Sequence, residues 1–277
     1  MGRRRRTRRI TGVALAAATM IGGGVYMTTG SNPASAAITS SPASGIGSNR
    51  ASAAIKPSSV KSAASSGSPV EFTLPASNQI VKVQTSFTVP SEQPHVGTTF
   101  LWPGLQPLGG ANFNPIGEGV LQPVLTWGSS CAPAAGEPVS YSSWWISGQY
   151  VNTEGSQPGY QGCFSGKAMK VNPGDELNIS MRLDSASGKW IQTITDGPNH
   201  VSFSEDLHGQ AQNWLLFVIE NYDGASFNAP LSFRNTRVDF QNADSGTCNS
   251  WGAEAGVSGG ATSTNNGLRC VINTVTV

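Results

Sequence analysis

Past residue 70 the sequence alternates. Leu177, Ile179, Met181 and Leu183 put an apolar side chain at every second position, between the turn formers Asn172-Pro173-Gly174-Asp175 and Ser187-Gly188. Val81, Val83, Thr85, Phe87 and Val89 repeat the pattern. A period of two lines one face of a strand, whereas no segment sustains the 3.6-residue apolar period of a helix. Further strands are predicted over 98–102, 120–127, 141–151, 189–195, 200–205, 214–222, 230–240 and 268–277, parted by Gly, Pro, Asn, Asp and Ser. Ten or more short strands in roughly 200 residues predict an all-β chain, a single antiparallel β-sandwich rather than two domains. The last run alternates up to Val277, so it is expected to pair within a sheet.

The first 68 residues have a different texture. Arg3, Arg4, Arg5, Arg6, Arg8 and Arg9 precede a mostly apolar run over 10–27 and the small-residue site Ala34-Ser35-Ala36. Basic, apolar and A-x-A parts in that order make a secretory signal peptide over 1–36, and the Arg8-Arg9 pair also permits the twin-arginine route. The run is nearly long enough to span a bilayer, but Gly12, Gly22 to Gly24 and two threonines make it weakly apolar, so cleavage is expected. Residues 37–68 are Ser, Ala, Gly and Pro with scattered Ile, Val, Arg and Lys and no acidic or aromatic residue. Such a stretch buries too little apolar surface to offset its ordering entropy, which predicts a disordered linker or pro-segment ahead of a domain at 69–277.

Removing 1–36 leaves eleven basic against sixteen acidic residues, a net charge of −5. That balance gives no electrostatic footprint for nucleic acid and little attraction to an anionic membrane surface. A secreted, extracellular protein without stable membrane insertion is expected. Cys131, Cys163, Cys248 and Cys270 are even in number and bound for an oxidising compartment. Of the three pairings, Cys131 with Cys163 and Cys248 with Cys270 are favoured because they close short loops at the ends of adjacent strands. No C-x-x-C pair exists and His95, His200 and His208 do not flank the cysteines, so neither a metal nor another cofactor is expected.

Gly256-Val257-Ser258-Gly259-Gly260 matches G-x-S-x-G, but no histidine follows Ser258, and a Gly-rich loop is the expectation. Glu118, Glu137 and Glu154 lie in Gly/Pro-rich stretches and read as solvated loop residues. Trp190 and Trp214, in alternating strands, read as core; Arg234 and Arg237 read as solvated or paired with Asp239. Two polar residues stand in strongly apolar surroundings: Gln122 within Gly119-Val120-Leu121-Gln122-Pro123-Val124-Leu125, and Glu220 closing Trp214-Leu215-Leu216-Phe217-Val218-Ile219-Glu220. A carboxylate ending such a strand should be desolvated, its pKa raised toward the range of general acid and base work. On residues alone an ordinary strand-end polar group remains open for both.

The order of these segments resembles that of the glutamic peptidases, the eqolisins. Ser86-Phe87-Thr88-Val89-Pro90 precedes a Trp-x-Gly segment, Trp102-Pro103-Gly104-Leu105; Val120-Leu121-Gln122 follows, then Tyr141-Ser142-Ser143-Trp144-Trp145, Pro173-Gly174-Asp175-Glu176-Leu177 and Phe217-Val218-Ile219-Glu220-Asn221-Tyr222. The resemblance implies a concanavalin-like, lectin-like jelly roll and a secreted acid endopeptidase acting on polypeptide. It implies a catalytic dyad of Gln122 and Glu220, with Trp102, Trp144 and Trp145 lining the substrate groove. Gln106 and Ser147, or a neighbour of the latter, stand where the family has acids, and Pro123 removes a backbone donor beside Gln122. The alternative is a non-catalytic module on the same sandwich that binds carbohydrate or another cell-surface polymer through its tryptophans.

Overall fold

A computed structural model of the chain describes residues 68–108, 116–131, 140–152 and 160–277. Residues 1–36, read as a signal peptide, residues 37–67 of the stretch read as a linker or pro-segment, Glu137 and Glu154 lie outside the described residues. The strands, in order, are β1 (Val70–Thr73), β2 (Ile80–Thr88), β3 (Thr98–Gln106), β4 (Val120–Gly128), β5 (Ser140–Asn152), β6 (Gly162–Ser165) and β7 (Met169–Lys170). The chain continues with β8 (Glu176–Leu183), β9 (Trp190–Asp196), β10 (Asn199–Glu205), β11 (Trp214–Tyr222), β12 (Ser232–Phe240), helix α1 (Ser245–Trp251), β13 (Val257–Thr264) and β14 (Arg269–Thr276). They form two seven-stranded antiparallel sheets. Sheet A runs β1-β11-β3-β4-β5-β6, with β7 also paired to β5; sheet B runs β10-β9-β8-β2-β12-β14-β13.

The alternation read from the sequence is what closes the sandwich. Val83 and Phe87 of β2, Leu177, Ile179 and Met181 of β8, and Phe233 and Val238 of β12 point inward from sheet B. They join Leu101, Leu105, Leu121, Leu125, Leu215, Phe217 and Ile219 of sheet A in one buried core. Phe217 touches Phe72 and Phe233 with ring centroids 6.0 and 4.8 Å apart. Burying each such ring contributes about 1.5–3 kcal/mol, so the inward set supplies the main driving force for pairing the sheets.

Three features depart from the sequence reading. The Gly-rich stretch taken for a loop is strand β13, whose register against β14 slips between Ser258 and Ala261. Gly259 and Gly260, at φ +74 and +73, are the bulge that makes the slip, a conformation that needs glycine. Seven-residue α1 is too short to show a helical period; Asp244 caps it by accepting from the Thr247 backbone N–H at 2.9 Å. Asp239 pairs with Arg269, at 2.5 and 2.9 Å, rather than with Arg234 or Arg237, because Arg269 lies directly opposite it on β14.

Disulfides join Cys131 to Cys163 and Cys248 to Cys270. The separations of 32 and 22 residues give similar loop-closure entropies, worth about 3 kcal/mol each in the chain-entropy account. Cys248 and Cys270 are also both fully buried, tying α1 to β14 inside the core, whereas Cys131 is exposed. Replacing the Cys248–Cys270 pair by alanines is expected to cost more stability than replacing Cys131–Cys163, by 1 kcal/mol or so once the cavity left in the core is added. Urea unfolding of the two double variants measures the difference.

Candidate active site

The pleat of β11 splits its residues between two environments. Leu215, Phe217 and Ile219 enter the core, so Trp214, Leu216, Val218, Glu220 and Tyr222 face outward from sheet A. Outward residues of neighbouring strands meet them in a second apolar cluster of Trp102, Val124, Leu216 and Val218, flanked by Phe100, Val120 and Trp214. Trp214, read as core, thus belongs to the outer face, while Trp190 is in the core as expected, 1% exposed. β11 is apolar on both sides because both sides are buried, and Glu220 is the one carboxylate of its outward row, between Val218 and Tyr222.

Burial pushes the Glu220 carboxyl up to about 7, the indole N–H of Trp102 and the hydroxyl of Tyr222 pulling in the opposite direction. Trp102 Nε1–H donates to Glu220 Oε2 at 3.3 Å. The Tyr222 hydroxyl is itself held above its ordinary range by burial and by the carboxylate beside it. Phe100, opposite Glu220 on β3, packs edge-on against Tyr222 with centroids 5.6 Å apart and closes the other side. The carboxyl therefore has two donors and an aromatic wall, the surroundings of a group that changes protonation near neutrality.

Gln122 lies on the same outward face, buried on β4. The register set by Leu105 against Leu121 brings it beside Gly104 of β3. The far edge of the Trp102 indole covers that glycine: a Cβ there would come within 2.7 Å of Cζ3 and 2.9 Å of Cε3. Glycine is required at this close approach. The Trp102 ring thus stretches from the Glu220 carboxyl toward Gly104, the strand position next to Gln122. The same register sets Pro103 against Pro123, and the β3–β4 pairing has no partners between Leu101↔Leu125 and Leu105↔Leu121. Neither proline can donate a ladder hydrogen bond, so the sheet is unzipped directly beneath the indole.

β5 continues the face with Trp145, Ser147 and Gln149, opposite Thr126, Val124 and Gln122 in turn. Gln149 Nε2 donates to Ser147 Oγ at 3.1 Å, and the backbone carbonyl of Gln149 accepts from Gln192 Nε2 of sheet B at 2.7 Å. Trp145 donates its indole N–H to the Gly128 carbonyl at 3.1 Å. Trp144, expected in the groove, points the other way. Its side chain is fully buried in the core against Trp127 and Phe227, at centroid distances of 5.5 and 6.0 Å, because adjacent residues of a strand face opposite sides. Trp102 and Trp145 are only 5% and 3% exposed, so neither offers the open ring face that stacking on a sugar needs. Gln106, at the rim, donates to the Glu118 carbonyl at 2.9 Å, and Glu118 is exposed as expected.

Sequence reading passed over Thr126, Gln149, Tyr222 and Glu71, all on this face. Thr126 is fully buried and its hydroxyl has no hydrogen-bond partner among the described residues. Glu71 is next to Leu216 through the β1–β11 register, and burial raises its pKa. The signal that finds Thr126 and Tyr222 is the period of two counted from Gln122 and Glu220, which puts every second neighbour on their face. Among the described residues no three His, Cys, Asp or Glu side chains converge to hold a metal ion, and no helix is long and apolar enough to cross a membrane.

No family model matches the chain, and no curated protein matches it. Among solved structures the chain is similar, distantly, to scytalido-glutamic peptidase with a transition-state analogue inhibitor, at 13% identity and a TM-score of 0.44. It is similar to the same peptidase with a peptide-based transition-state analogue at 14% and 0.44, and to SCP-B, a member of the eqolisin family, in complex with the tripeptide Ala-Ile-His at 13% and 0.41. Each alignment covers 77% of this chain and 100% of the other.

Because the folded-state pKa of Glu220 lies above the ordinary carboxyl value of 4.5, folding opposes its ionisation. The stability linked to the neutral carboxyl is fully present below about pH 4.5 and is lost as pH rises through about 7. Glu220→Gln is therefore expected to change little at pH 4 and to stabilise the protein by roughly 1–3 kcal/mol at pH 8. Thermal or urea unfolding at the two pH values measures it, and a stabilisation that is larger at pH 4 would contradict the burial of this group.

Proposed function

We propose that this protein is a secreted endopeptidase of the glutamic type, with Glu220 as general base and acid and Gln122 as the carboxamide that steadies the developing oxyanion. The observation that carries the reading is a desolvated carboxyl bonded to the Trp102 indole, on the same outward face of sheet A as the buried residue Gln122. A peptide carbonyl brought to Gln122 would leave the attacking water to Glu220.

Ionised Glu220 takes a proton from the water, and the hydroxide adds to the carbonyl carbon. The Gln122 side-chain N–H donates to the resulting oxyanion, a role worth about 10²–10³ in rate where such donors have been removed. The protonated Glu220 then gives its proton to the leaving amine, the C–N bond breaks, and the carboxylate is restored. Trp102 and Tyr222 hold the carboxyl in place by donating to it. Two disulfides suit an extracellular protein.

The pKa of about 7 moves the working range of such an enzyme upward from acid. At pH 4 only about one Glu220 in a thousand is ionised, so the base-catalysed rate is expected to rise with pH and level off just above 7. Hydrolysis of a denatured protein between pH 3 and 9 tests this. Glu220→Gln is expected to lower kcat/KM by at least 10²-fold and Gln122→Ala by about 10²-fold. A folded wild-type chain that cleaves nothing, or a Glu220→Gln variant that cleaves as fast, would sink the proposal.

A further inference from the structure

The opposite face of the sandwich carries a groove of about 350 Å³ on the outside of sheet B, unrelated to Glu220. Its lining is mostly polar: Gln84, Thr85 and Ser86 of β2, Asn178 of β8, and Arg234, Asn235 and Arg237 of β12, with the apolar Ile179 among them. A strand that alternated without interruption would send Arg234 and Arg237 to opposite faces, since they are three residues apart. Here Arg234 pairs with Ser86 and Arg237 with Gln84, three residues against two, so β12 carries one extra residue between them. Asn235 absorbs it in the left-handed region at φ 52. Thr85 fixes the distortion from below, with its hydroxyl 2.8 Å from that of fully buried Thr236 and donating to the Arg234 carbonyl at 3.3 Å.

The bulge thus brings both guanidinium groups to one side. Arg234 is engaged by Thr88 Oγ1 at 3.1 Å and Glu176 at 3.4 Å. Arg237 is exposed and has no partner among the described residues. Around it, the side chains of Gln84, Asn178 and Asn235 present both amide donors and carbonyl acceptors, and Ser86 adds a hydroxyl. A free guanidinium fits a carboxylate through two parallel hydrogen bonds, while amides and hydroxyls match the mixed donors and acceptors of sugar hydroxyl groups. No aromatic ring lines the groove.

We propose that this groove binds a carboxylate-bearing sugar, a uronic acid unit of an oligosaccharide, with Arg237 taking the carboxylate. Residues 69–277 hold eight basic and sixteen acidic residues. A net charge of −8 repels anions in general, so uptake of an acidic sugar requires a local site.

Titration of the purified protein with tri-galacturonate, its methyl ester and inorganic phosphate, by calorimetry at low salt, tests the assignment. The acid is expected to bind with Kd on the order of 0.1–1 mM and the ester at least tenfold more weakly. Arg237→Gln and Asn178→Ala, both exposed and checked for unchanged thermal unfolding, are each expected to weaken the acid, the former at least tenfold. Equal affinity for acid and ester, unchanged binding by Arg237→Gln, or phosphate binding as tightly as the sugar would each overturn it. Peptide hydrolysis is expected to be the same in Arg237→Gln as in the parent, which separates this site from the Glu220 face.

Discussion

Everything about the Glu220 face depends on sheet A being apolar on both sides at β11. A strand with one solvated face would alternate, and its terminal carboxylate would be hydrated and ordinary. β11 instead sends Phe217 and Ile219 into the core and Leu216 and Val218 into a second buried cluster, so Glu220 inherits a low-dielectric setting from its own strand. The charge is made tolerable by the two donors that reach it, Trp102 and Tyr222. Desolvation is the larger of the opposing effects, and it is what brings the carboxyl to the edge of ionisation near neutral pH.

The surrounding parts follow from fitting one indole over that face. Trp102 can lie flat only because residue 104 has no side chain, and the β3–β4 ladder tolerates the interruption because Pro103 and Pro123 have no N–H to leave unsatisfied there. The prolines look misplaced in central strands when each is taken alone. Opposite one another they remove matching demands, and Pro123 next to Gln122 is part of that arrangement. Sheet B uses the other means of breaking alternation, an extra residue at Asn235, and the result is again a change in which side chains share a face.

Most of the architecture was legible in the sequence, for a local reason: a strand with one buried face announces itself by a period of two. β2, β8 and β14 carry that mark, while β11, buried on both faces, announces itself instead as an unbroken apolar run. β1 and β7 are too short to carry it, and β13 hides it behind the glycines that form its bulge. The short-loop disulfide pairing was legible too, because closing loops of 22 and 32 residues demands little of the chain. Gln122 and Glu220 stood out as polar residues in apolar runs, a local conflict that marks a site or a strand end without saying which.

Which residues share a face across strands was not legible, because it depends on register, and a register is a relation between segments that are distant in sequence. Trp144 and Trp145 are neighbours of the same type, yet one packs against Phe227 in the core and the other faces outward beside Thr126. The sequence by itself determined the strands, their apolar sides and the residues whose chemistry is out of keeping with their surroundings. Only the tertiary structure decided that Gln122 and Glu220 lie on one face, that a tryptophan donates to Glu220 and covers Gly104, and that a bulge turns two arginines to the same side of the opposite sheet. Periodicity is written along one strand, whereas a site is assembled from several, and the hydrogen-bond register that aligns them exists only once the sheet has formed.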